Sequence, residues 1–149
     1  MILTFGIISL NVLAQADETK VALNELNGLY ASTYRFTINS EKQLEVAFFN
    51  GSGHYRNDIV YLDFLDPDMI IYNSEEKAIS IRCSQAEEKC IDKEIFKLDV
   101  LRHSSRINLK EEDAAQSEQV IALLQMIITL HAQSEKDNES QMGETRRKR

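Results

Sequence analysis

The chain has 149 residues, 43% of them apolar, with 24 acidic residues against 17 basic and a net charge of −7. That is one domain's worth of chain with enough apolar content for a core, which excludes a disordered polymer. An acidic body also repels phosphate backbones, which argues against nucleic-acid binding by the folded part.

Met1 to Leu13 is apolar apart from Thr4, Ser9 and Asn11, and Ala14-Gln15-Ala16 supplies a small-x-small cleavage pattern. Residues 1–16 therefore read as a signal peptide, too short for the roughly 20 apolar residues of a membrane span. The expected location is secreted or periplasmic, where the two cysteines, Cys83 and Cys90, are expected to form a disulfide. From Asp17 to Ser32, Val21, Leu23, Leu26, Leu29 and Tyr30 partly follow helical spacing, predicting a short N-terminal helix.

Between Tyr34 and Leu109 the texture is β. Tyr34, Phe36 and Ile38 alternate with polar residues, Asn39-Ser40-Glu41-Lys42 is turn chemistry, and Leu44, Val46 and Phe48 alternate again. A third strand is expected at Ile59–Phe64, then a connection holding Pro67, which cannot donate to a ladder. Further strands are expected at Met69–Tyr72, Ala78–Arg82, Cys90–Leu98 and Arg106–Leu109. That makes about seven, with Cys83 and Cys90 facing each other across a hairpin.

From Glu111 the pattern changes. Asp113 with Gln116 forms a capping-box pair, and Val120, Ile121, Leu124, Ile128 and His131 fall on one helical face. The helix is expected to run to about Gln133, making residues 17–133 a single domain and 134–149 a disordered polar tail. Leu123, Met126, Ile127 and Leu130 add a second apolar stripe beyond what one sheet needs. The Asp17–Ser32 helix could cover it; left open, it is a candidate interaction surface for a protein partner or a second copy.

The order of about seven antiparallel strands and one long C-terminal helix resembles a pleckstrin-homology-like fold. The stretch IVYLDFLDPDMIIYNSEEKAISIRC, residues 59–83, is similar to the middle strands of that superfold. RCSQAEEKCI also looks like small uncharacterised exported bacterial proteins built the same way. The resemblance implies an α+β domain with a bent sheet of two halves closed by the helix. Phosphoinositide-binding members carry several cations on the first hairpin. Here Arg35 and Lys42 are balanced by Glu41 and Glu45, so no binding residue is carried over.

Chemical motifs are sparse. His54, His103 and His131 share no ligand spacing, and Asp58, Asp63, Asp66 and Asp68 lack a calcium-loop pattern, so no metal or cofactor is expected. No nucleophile elbow or phosphate loop is present. The basic end, Arg146-Arg147-Lys148-Arg149, reads more readily as a solvated terminus than as a membrane contact. The expectation is an exported, non-enzymatic binding or protein-interaction module. The alternative is a carrier of a small apolar or lipid ligand between sheet and helix.

Overall fold

The computed structural model describes residues 3–84 and 88–147. It is α+β, with two helices and eight strands in two antiparallel sheets. Helix α1 spans Leu3–Leu29, beginning upstream of Asp17, and is the shorter of the two. The strands are β1 (Tyr34–Ile38), β2 (Gln43–Asn50), β3 (Gly53–Tyr61), β4 (Leu65–Asn73), β5 (Ala78–Cys83), β6 (Ile91–Ile95), β7 (Val100–Ser104) and β8 (Arg106–Lys110). Helix α2 follows, Ala114–Arg147. Among the described residues, no helix is long and apolar enough to cross a membrane.

Alternation decides which face each strand buries. On β2, Leu44, Val46 and Phe48 point inward and their neighbours outward. On β5 and β8, the opposed pairs Ile79–Leu109 and Ile81–Ile107 are fully buried. The first sheet has the order β1-β2-β3-β6-β7 and the second β4-β5-β8. The chain therefore crosses between sheets three times, after β3, β5 and β7.

Those crossings correct the expected hairpin at the cysteines. Cys83 and Cys90 are bonded, with Cα atoms 5.8 Å apart. But β5 pairs with β4 and β8, while β6 pairs with β3 and β7. The bond joins the end of a strand in one sheet to the start of a strand in the other.

The other departures have equally local causes. Asn50–Gly53 closes so tight a turn, with Gly53 at φ 104°, that β3 starts at once rather than at Ile59. Pro67 falls within the span of β4, in an irregular stretch between Leu65 and Ile70 where the register shifts. As an edge strand, β4 tolerates the missing donor. The expected strand Cys90–Leu98 ends early, because Phe96–Leu98 turns and Asp99 takes a left-handed conformation (φ 47°), which creates β7.

Helix α2 starts as expected: Asp113 Oδ1 accepts from the backbone N–H of Ala115 and of Gln116. It then runs on to Arg147 instead of ending near Gln133. Ser134 to Met142 is polar but holds neither glycine nor proline, and Glu, Gln and Lys are good helix formers. Polarity predicted a loose tail where nothing breaks the helix.

Ala22 and Leu26 of α1, with Tyr30 just after it, pack with Val120, Leu124 and Ile127 of α2 in one core with Phe36, Leu44 and Val46. Truncating a fully buried leucine such as Leu26 to alanine should cost about 2–5 kcal/mol.

Candidate interaction surface

Two buried polar clusters hold the elements in place. Asp58 on β3 faces inward and is fully buried, with Arg56 Nε 3.0 Å from one carboxylate oxygen and Lys93 Nζ 3.8 Å from the other. Lys93 sits opposite Asp58 across the β3–β6 ladder, and the Arg56 guanidinium lies over the Phe48 ring at 3.8 Å. Burial pushes the Asp58 carboxyl up from its ordinary range, against the pull of both cations, and burial pushes Lys93 down.

In the second cluster, the buried Glu111 carboxylate accepts from the Tyr30 hydroxyl and, at 3.1 Å, from the Gln116 amide. The Tyr72 hydroxyl donates to the Glu111 carbonyl at 2.9 Å. This cluster ties the end of α1, β4 and the start of α2 to one residue. Glu111 thereby takes the reciprocal role in the cap that spacing alone assigns to Gln116, accepting the Asp113 N–H at 3.2 Å.

The candidate interaction residues on α2 separate. Leu123, Ile127 and Leu130 are buried, and only Met126 remains exposed, at 46%. Helix α1 packs against α2 and covers that stripe, so the C-terminal helix presents no second apolar face there. The expected carrier interior is likewise occupied, with Leu26, Phe36, Leu44, Ile107 and Leu124 filling the space between sheets and helices.

Exposed apolar surface is concentrated elsewhere. Phe96 (45%), Leu98 (60%), Val100 and Leu101 (56%) lie within six consecutive residues of the β6–β7 hairpin. On the outer face of the first sheet, an aromatic row leads to them. Arg35 lies over Phe49, Phe49 stacks on His54 at 4.9 Å, and His54 meets Phe96 edge-on at 4.8 Å.

The sheet edges differ from one another. Asn27 of α1 blocks β1 with both ends of its amide, accepting from the Phe36 N–H (2.7 Å) and donating to the Phe36 carbonyl (2.9 Å). The Tyr34 hydroxyl accepts from the Lys110 N–H at the edge of β8. On β4, Pro67 removes a donor and its carbonyl accepts from Gln125 of α2 at 3.0 Å. Among the described residues, no side chain caps the outer edge of β7. Natural sheets guard such edges because an open one pairs with other chains.

Of the remaining candidates, His131 lies mid-helix and bonds Asp63 at 2.7 Å, and His103 bonds Asp92 at 2.7 Å. Among the described residues, no group of His, Cys, Asp or Glu is placed to hold a metal ion. Beside the disulfide, Met69, Arg82, Ser84, Glu88, Ser105 and Arg106 line an open groove. Of the basic terminus, Lys148 and Arg149 lie outside the described residues.

The hairpin escapes sequence inspection because Phe96-Lys97-Leu98-Asp99-Val100 alternates like a half-buried strand. An apolar run broken by an aspartate that takes the turn was the available signal. Comparison with protein-family models, with curated proteins and with solved structures finds no match.

Proposed function

We propose that this chain is an exported, non-enzymatic protein-interaction module that works through the β6–β7 hairpin. The observation that carries the reading is the combination on β7: an uncapped strand edge flanked by Phe96, Leu98 and Leu101. Main-chain hydrogen bonds along such an edge supply affinity, and the apolar side chains beside it supply selectivity. Export is supported by the Cys83–Cys90 bond, which persists in oxidising compartments, and by the apolar N-terminus with its small-x-small pattern. The non-enzymatic part is supported by how the buried ionisable groups are spent, Asp58 on Arg56 and Lys93, and Glu111 on Tyr30 and Gln116. A small-ligand carrier has less behind it, given the filled interior.

A photoreactive phenylalanine placed at Phe96, and separately at the exposed Met126, tests the assignment in full-length protein in its native compartment. The expected result is a protein adduct of defined mass from position 96 but not from 126, lost when Leu101→Pro removes an edge donor. Absence of any adduct at position 96, or one indifferent to Leu101→Pro, would overturn the reading.

A further inference from the structure

We infer that the partner at this edge is a second copy of the chain, paired antiparallel through β7 about a two-fold axis at Leu101. This rests on the reading above that the hairpin is the interaction element. The phase of the edge follows from the neighbouring ladders. The β6–β7 register runs from Ile95–Val100 to Ile91–Ser104. Antiparallel ladders alternate hydrogen-bonded and non-bonded pairs. The Leu62 N–H donates to the Lys42 carbonyl and the Phe49 N–H to the Thr33 carbonyl, so Asn57 and Ile59 bond Glu94 and Asp92. Val100, Arg102 and Ser104 therefore turn their backbone groups toward β6, and Leu101 and His103 turn theirs outward.

A two-fold axis normal to the sheet must place one residue opposite itself, so few registers are available. An axis at Arg102 or His103 opposes like side chains, and one at Val100 sets Lys97 against His103. Like charges directly opposite one another are destabilising. With the axis at Leu101, the outward Leu101 faces Leu101 of the second copy, and the two residues exchange both backbone bonds. Val100 meets Arg102 of the second copy in the closer, non-hydrogen-bonded type of pair. Asp99 comes opposite His103 of the second copy, so the register that buries the exposed leucines also matches charge. The result doubles the five-stranded sheet and sets the two hairpins side by side.

Leu101→Cys tests the register directly, because Cα atoms in a hydrogen-bonded pair are about 5.5 Å apart, within disulfide range. Under mild oxidation, full-length Leu101→Cys should form a covalent dimer while His103→Cys, two residues along, stays monomeric. The unsubstituted protein should sediment as a dimer that Leu101→Pro converts to monomer. Monomeric sedimentation of the unsubstituted protein overturns self-pairing, and equal cross-linking from positions 101 and 103 overturns the register. A position-96 adduct with a different protein alongside monomeric sedimentation sinks the self-pairing and leaves the interaction reading standing. No adduct of any kind sinks both.

Discussion

Tyr30 shows how one hydroxyl couples packing to pH. Burial, then its hydrogen bond to Glu111 and that carboxylate's charge, push its pKa far above the ordinary value of 10.0. The folded state thus holds the proton more tightly than the unfolded chain does. The stability this represents is present in full below about pH 10 and is lost as pH rises beyond it. Tyr30→Phe should flatten that alkaline decline in urea midpoints measured from pH 8 to 11, with a residue left by Tyr34, which burial also raises. Asp58 has the same sign at the acid end. Because its folded-state value is raised, its contribution falls as pH climbs from the unfolded value of about 3.8, and Asp58→Asn should abolish that component. Arg56→Met at neutral pH should cost about 3 kcal/mol by urea unfolding, since it strips the nearer counter-charge from a buried carboxylate.

At the scale of elements, the disulfide joins two strands that never pair. Replacing both Cys83 and Cys90 by serine should lower stability by about 2 kcal/mol, the loop-closure value for so short a ring. A larger drop in the denaturation midpoint would show that the bond also orders the sheet crossover. The elements set by strict alternation, β1, β2 and β5, were legible, as was the cap at Asp113, because each depends on neighbours in sequence. The strand β7 was not, since its only ladder partner is β6 and all but one of its side chains are exposed. Nor was the sheet to which each strand belongs. Pairing of β3 with β6, and of β5 with β8, is a choice among distant partners that local pattern does not encode. The interaction surface shares this origin, because an edge exists only once the sheet order is settled.

For the molecule as a whole, α1 decides whether the α2 stripe stays covered. Its described buried side chains begin at Ala22 and include Leu26, both downstream of Ala16. Protein starting at Asp17 should keep the melting temperature of the full chain within a few degrees. Protein starting at Ser32 uncovers Leu123, Ile127 and Leu130 and should fail to unfold cooperatively by circular dichroism. Tail residues follow the opposite logic. Amides of Ser134–Ser140, on a helical stretch without buried apolar side chains, should exchange hydrogen far faster than those of Val120–Leu130.

The guarded edges also fix a valence. Asn27, Tyr34 and Pro67 each occupy or remove a backbone group on three of the four strand borders, so on the pairing inferred above each molecule would present β7 as its adhesive side. Units with two such sides propagate into filaments, as open heterologous assemblies do. A unit with one can only saturate. On that pairing, strand addition would terminate after one event, and the contacts of Asn27, Tyr34 and Pro67 would serve as chain stoppers against fibre growth.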